Sequence, residues 1–311
     1  MTSALLPPET KFQFSGHETF PLRQLWLPKY AQLLNDLKKE GKAELPPIEN
    51  CMVRLGVGKN MVAAMRFWAE ASGMVEENSL KLTQIGNLIF GDGNLSGLDE
   101  YCEHPATHWL VHWRIAATPS SFTPDWFLFN CLNGPIVERE SFFKSLKDFV
   151  SAQYLKVSDT SLKRAIEVCL RSYLPRLSGK GHLEDFIEPL LGGLDLLTPK
   201  SHDSFEFHRS SHPTLPDAFF AFCLMEYWDR LPNVTSTLDF NRIAYDFGSP
   251  GRVFKLDAKS IDKRLNQLEA ITDEALVWTE QAGLRQVIRR NDALTEPDQF
   301  CRRMLNKAYA N

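Results

Sequence analysis

Apolar and polar positions divide the chain into helical segments joined by short turn-like and strand-like pieces. Leu25, Leu33 and Leu37 recur near helical spacing in PLRQLWLPKYAQLLNDLKKEGK, residues 21–42, which ends in a charged stretch closed by Gly41. Pro28 is expected to kink or restart that helix. The polar turn ELPPIEN leads to a short segment around Met52 and Leu55, then to the glycine turn of LGVGKN. A strong helix is predicted over residues 60–72, with Gly73 as its C-cap. On it Val62, Met65, Trp68 and Ala69 share one face, while Lys59, Ala63 and Arg66 share the opposite, cationic one. Residues 74–76 and 80–82 flank a polar turn and read as a short hairpin before LTQIGNLIFG.

Helix, glycine turn, amphipathic helix and hairpin is the order of a winged helix-turn-helix, in which the second helix enters the major groove. Exposed Lys59, Asn60 and Arg66 suit phosphate and base-edge contacts; the alternative is a packing or dimerisation module. The pattern then repeats. SDTSLKRAIEVCLRSYLPR has a capping start at Ser158 or Thr160, an apolar stripe of Leu162, Ile166, Cys169 and Leu170, and Lys163, Arg164 and Arg171 on its other face. EDFIEPLLGGLDLLTP and FEFHR follow as a helix, a Gly-Gly turn and short strands, a possible second winged-helix-like unit. After the linker SSHPTLPD, AFFAFCLMEYW reads as a buried helix. TLDFNRIAYDFGSPG, a charged helix over residues 258–270, ALVWTE and LRQVIRR repeat the order once more. Gly248, Pro250 and Gly251 are expected to make a tight turn from which Arg252 and Lys255 project, as DNA phosphate contacts or, equally, as solvated surface. The fold class expected is mainly α with short β-hairpins, built as tandem winged helix-turn-helix modules. Its domains are an N-terminal module over 1–97, a central helical domain over 98–230 and a C-terminal module over 231–311.

Composition narrows the chemistry. With 43% hydrophobic and 24% charged residues, the 311-residue chain is an ordinary globular sequence. Its net charge of −4 leaves nucleic-acid contact to local patches. Six scattered cysteines make no CxxC pair and read as reduced thiols. No signal-like N-terminus or membrane-length apolar run is visible, so a cytoplasmic location is expected.

Two candidate sites weaken on inspection. GVGK lacks a phosphate-binding P-loop, because Val53 stands where the first glycine belongs and Asn60 where a hydroxyl should hold Mg²⁺. No nucleotide site is recognised. His104, His108 and His112 have i, i+4, i+8 spacing, but Pro105 places His104 at or before the helix start and no carboxylate is near. The alternative is that His112 packs among Trp109, Trp113 and Phe127.

The strings FSGHETFPLRQLWLPK, LGVGKNMVAAMRFW, THWLVHWRIA, SLKRAIEVCLRSY, LPDAFFAFCLMEYW and SPGRVFKLD resemble the bacterial family known as domain of unknown function 4007, from about Phe12 to Arg290. His108 departs from the family pattern. The resemblance implies a place in DNA phosphorothioation and phage-defence systems, beside an ATPase and a PAPS-reductase-like sulfur-transfer protein. The sequence is similar to the DNA-nicking B component of Ssp-type systems, which implies double-stranded DNA as substrate. A homodimer is possible.

Nicking needs a nucleophile and charge neutralisation, and usually a metal or a histidine base. No PD-ExK, HNH or paired-Asp pattern is present. GHETF offers His17 as base or metal ligand, Glu18 as ligand for Mg²⁺ or Mn²⁺, and Arg23 as a phosphate clamp on the following helix. The alternative is that GHETF caps that helix. Tyr30 is a nucleophile that nothing in its surroundings selects. Besides a DNA nickase, a non-catalytic winged-helix adaptor or a transcription regulator fits the sequence.

Overall fold

Helical periodicity builds most of the chain. The computed structural model describes residues 9–174, 189–232, 235–281 and 283–310. It is mainly helical with two small antiparallel sheets. It forms two compact units, Met1–Phe207 and His208–Asn311, dividing inside the expected 98–230 domain.

In the first unit α1 (Trp26–Lys39) buries Trp26, Leu27, Tyr30, Leu33, Leu34 and Leu37. It starts so close to Pro28 that the proline sits in the first turn, where its missing N–H costs nothing. Of the two expectations for Pro28, a kink or a restart, the helix start is the one observed. α2 (Ile48–Leu55) ends on left-handed Gly56, at φ 66°. α3 (Lys59–Ala71) begins one residue earlier than predicted and buries Val62, Met65, Trp68 and Ala69, the predicted face. Gly73 follows it at φ 68°.

The expected hairpin contracts to one antiparallel bridge, Val75 to Leu82. Thr83 closes it: its hydroxyl donates to the Gly73 carbonyl at 2.7 Å and accepts from Gly86 N at 3.0 Å, capping α4 (Gln84–Phe90).

α5 (Pro105–Ala116) and α6 (Thr123–Cys131) are buried on nearly every side. The three histidines serve separate local contacts. His104 caps α5 by accepting from Ala106 N at 3.1 Å, and His108 Nε2 lies 2.8 Å from the Cys102 carbonyl. His112 Nδ1 lies 2.9 Å from the Tyr173 hydroxyl, with its ring against Trp109, Phe129 and Tyr173.

Next come β1 (Ile136–Glu138), α7 (Arg139–Ala152) and α8 (Asp159–Tyr173). Ser158 caps α8 by accepting from Ser161 N at 3.1 Å. The helix expected over EDFIEP, residues 184–189, lies outside the described residues up to position 188. The Gly-Gly turn is a short 3-10 turn at Gly192–Leu194, before β2 (Leu197–Pro199) and β3 (Ser204–Phe207). The sheet order is β1-β3-β2, with Val137 opposite Phe205 and Thr198 opposite Glu206.

The second unit starts with α9 (Asp217–Asp229), whose Phe219, Phe222, Leu224, Met225 and Trp228 form its core. β4 (Thr237–Asp239), α10 (Phe240–Tyr245), α11 (Pro250–Val253) and α12 (Ala258–Ile271) follow. β5 (Leu276–Gln281), β6 (Leu284–Arg289), α13 (Asn291–Thr295) and α14 (Pro297–Tyr309) complete it. α14 packs on α9. The sheet order is β4-β6-β5, with Leu238 and Trp278 flanking Val287. Buried Arg289 is matched by Asp229 at 2.7 Å and stacks 4.2 Å from the Trp228 ring. Buried Arg264 pairs with Asp217 and donates to the Ser211 and His212 carbonyls. No helix of the described residues is long and apolar enough to cross a membrane.

Candidate nucleic-acid interface

α3, α8 and α12 each follow another helix and precede a pair of extended segments or strands. All three present polar faces. Lys59 and Asn60 are exposed at the start of α3. Arg66 is engaged: its Nε donates to Glu70 at 2.9 Å and Nη2 to Asn78 Oδ1 at 3.2 Å, leaving about a third of the side chain exposed, 36%. On α8, Lys163 and Arg164 are exposed, with the Lys163 ammonium 4.8 Å from the Phe143 ring.

The turn at SPGRVFKL differs from expectation. Ser249 caps α11, and the four-residue helix reverses through Lys255, at left-handed φ 49°. That reversal turns Lys255 inward, where its residue is 1% exposed. Arg252 stays partly exposed, but its Nη1 donates to the Tyr245 carbonyl at 2.6 Å and its guanidinium stacks 4.6 Å from Phe247. The cations that face solvent here are Lys259 and Lys263 on α12. Their i, i+4 spacing in DAKSIDKRL was a visible signal, since it places both on one face.

GHETF forms a tight turn well ahead of α1, whose first cap, Leu25, contributes no side-chain hydrogen bond. It does not cap the helix. Thr19 N donates to His17 Nδ1 at 3.0 Å and Phe20 N to the His17 carbonyl at 2.8 Å. Glu18 and Thr19 adopt left-handed φ of 48° and 66°.

The turn is clamped from two sides. Gly16, at φ 108°, lets the backbone pass Phe67 of α3, where a Cβ would meet Phe67 Cδ2 at 2.6 Å. The His17 ring sits edge-on between Phe67 and Phe122. Gln13 and Thr123 exchange backbone and side-chain hydrogen bonds, and Trp68 Nε1 donates to the Phe20 carbonyl at 3.0 Å.

The three candidate catalytic residues differ in access. His17 is buried, with Nε2 unpartnered among the described residues. Burial lowers its pKa, against the opposing pull of the Phe14 backbone and the Glu18 carboxylate. Glu18 is exposed. Arg23 precedes the helix instead of riding on it; it is buried, lies over Trp26 at 5.3 Å and bridges by its backbone to Pro189. Tyr30 is buried too, and desolvation pushes its hydroxyl up to about 12.

Asp125 was not anticipated. It stands in the first turn of α6, fully buried, with no N–H or O–H donor on its carboxylate oxygens among the described residues and the Cys169 thiol as its polar neighbour. Burial raises its pKa to about 7, against a smaller opposing effect of the Cys169 thiol. One aspartate inside the apolar run TPDWFLFNC was the available signal. Among the described residues no three His, Cys, Asp or Glu side chains converge as a metal site. The donors at GHETF, one buried imidazole and one exposed carboxylate, do not by themselves build a cage for Mg²⁺ or Mn²⁺.

Known proteins place this architecture. Two crystal structures share the fold: magnesium-bound SspB, at TM-score 0.81 and 23% identity, and SspB, at TM-score 0.80 and 22% identity. Each match covers 98% of this chain and 90% of the other. No curated protein matches. The family model for a protein of unknown function, DUF4007, matches residues 14–309. The chain therefore belongs to the DUF4007 family, and its fold is that of SspB.

Proposed function

We propose that this chain is the DNA-engaging subunit of a bacterial DNA phosphorothioation and phage-defence system, holding duplex DNA through winged helices. The carrying observation is the recurrence of one arrangement: a strand, then helices (α7 and α8 in one unit, α10 to α12 in the other) and a hairpin, with the returning strand central, in both β1-β3-β2 and β4-β6-β5. In a winged helix the helix before the hairpin reads the groove and the hairpin touches the backbone. Exposed cations on α3, α8 and α12 fit that use. An ATPase and a PAPS-reductase-like protein are the partners proposed, from the family resemblance.

Binding of a labelled duplex across a salt series tests this reading. The pairs Lys59→Ala with Asn60→Ala, Lys163→Ala with Arg164→Ala, and Lys259→Ala with Lys263→Ala are each expected to weaken binding about tenfold. The salt slope should fall by roughly one per cation removed. Unchanged affinity in all three would favour an adaptor that binds only its protein partners.

Nicking is the second part of the proposal. Glu18 offers the exposed carboxylate of GHETF, on backbone held in the left-handed region, and such strain tends to collect at functional sites. Buried His17 then acts as a positioning residue for the turn. Supercoiled plasmid incubated with Mg²⁺ or Mn²⁺ should convert to open circles, and Glu18→Ala should slow this about a hundredfold while leaving Tm within about 1 °C. Full nicking by that variant would move the chemistry away from GHETF.

A further inference from the structure

An open cleft of about 890 Å³ lies among the end of α1, the turn over residues 41–45 and the hairpin over residues 78–82. Its charge is unlike that of the chain as a whole. Lys38, Lys42, Lys81 and Arg66 line it, against the single lining carboxylate of Glu44. Lys38 donates to the Asp92 carbonyl at 3.3 Å, and Arg66 is held by Glu70 and Asn78. Lys42 and Lys81 are exposed and form no ion pair or side-chain hydrogen bond among the described residues. Lys42 also pulls on Glu40, a carboxylate already bidentate with Arg54.

Between the cations the lining is amide and apolar. Asn35 and Asn87 spend their amide N–H on the backbone carbonyls of Gly91, Leu82 and Thr83, which leaves their oxygens as acceptors. Asn78 spends its oxygen on Arg66, which leaves its N–H groups as donors. Leu80 and Leu82 supply apolar surface. Two uncommitted ammonium groups call for an anion, and mixed donors and acceptors beside apolar surface call for a planar polar heterocycle. The volume is too large for inorganic phosphate alone and suits a nucleotide.

We propose that this cleft binds one nucleotide, its phosphate against Lys42 and Lys81 and its base among the three asparagines. Arg66 belongs both to the outer side of α3 and to the cleft. An unstacked nucleotide from a strand lying on α3 is therefore within its reach, an assignment that rests on the DNA-engaging reading above. A free nucleoside phosphate carries the same chemistry.

The test compares a paired duplex with the same duplex carrying a short central bulge, using wild type and the Lys42→Ala, Lys81→Ala double variant. Wild type is expected to prefer the bulged duplex about tenfold, because an already unpaired base spares the unstacking cost. The variant should lose that preference. Because Lys81 lies on the hairpin after α3, its affinity for the paired duplex is free to fall as for the other cation pairs, and the readout is the ratio of bulged to paired affinity, which drops to about one. Both side chains are exposed, so Tm serves as the folding control. Equal binding of both duplexes by wild type, or a preference that survives in the variant, overturns the assignment. If neither duplex binds, the DNA reading itself fails. The cleft is then decided by ligand-observed NMR with deoxyadenosine monophosphate: binding that the double variant loses supports a free nucleotide, and no binding overturns the site.

Discussion

Asp125→Asn is expected to stabilise the protein near pH 8, although a fully buried side chain is being altered. The Asp125 carboxyl is raised from 3.8 to about 7 because α6 carries it into a dry interior. A carboxyl raised in the folded state binds its proton more tightly there than in the unfolded chain. Its contribution is therefore most favourable below the unfolded value and is lost as pH climbs to the folded one. A shift of about three units corresponds to a loss of at most about 4 kcal/mol between pH ~4 and pH ~7. The α6 macrodipole already offsets part of the charged form's cost. Asparagine removes the charge but leaves a buried amide short of partners, costing about 1–3 kcal/mol, so a net gain of about 1–3 kcal/mol is expected at pH ~8. Urea melts of both proteins across that range would show it, with the difference growing as pH rises. A variant less stable than wild type at pH ~8 would mean that the carboxylate is paired in the folded protein.

Gly251→Ala should act in the opposite direction and strongly. A Cβ there would meet Ala244 Cα at 2.7 Å, Ile261 Cδ1 at 2.8 Å and the Ala244 carbonyl oxygen at 2.9 Å. Two of these atoms are backbone of α10, so relief requires α10 and α11 to separate. Overpacking of this kind costs about 2–4 kcal/mol. Gly56→Ala makes the control: a Cβ at Gly56 meets nothing within 4 Å, and only φ 66° opposes it, for about 1 kcal/mol. Urea denaturation followed by Trp fluorescence would separate the two. A loss at Gly251 no larger than at Gly56 would show that the helix contact gives way without strain.

These contacts also explain which features could be read from the sequence. Ser249 caps, Pro250 starts the helix, Gly251 permits the close approach, and Val253 and Phe254 are buried. SPGRVFKL is thus a packing string, and its specificity marks the fold more directly than any DNA contact. Its loop-like look suggested projecting cations, yet the inward turn of Lys255 depends on a left-handed residue that no periodicity reveals. α3 and α8 were legible because one face of each is apolar at helical spacing and their termini carry turn or cap residues. The hairpin after α3 was legible only as a turn, since one bridge is all that pairs.

GHETF misled in a different way. Its polar letters resemble chemistry, while its environment is set by Phe67 and Phe122, which come from distant parts of the chain. A glycine and a histidine next to each other cannot announce aromatic neighbours about 50 and 100 residues away. Asp125 was hidden for the converse reason. Its letter was in view, but its isolation depends on α8 covering it, with Cys169 as the neighbouring polar group.

The six unbridged thiols have a practical consequence. Cys51, Cys102, Cys169 and Cys223 are buried, whereas Cys131 and Cys301 are partly open. One open thiol falls in each compact unit. Under native conditions a maleimide should therefore mark one position per unit, since accessible thiolates react first. Wild-type protein thus carries its own pair of attachment points for a donor and an acceptor dye, and the separation of its two halves can be followed, with and without DNA, before any cysteine is engineered.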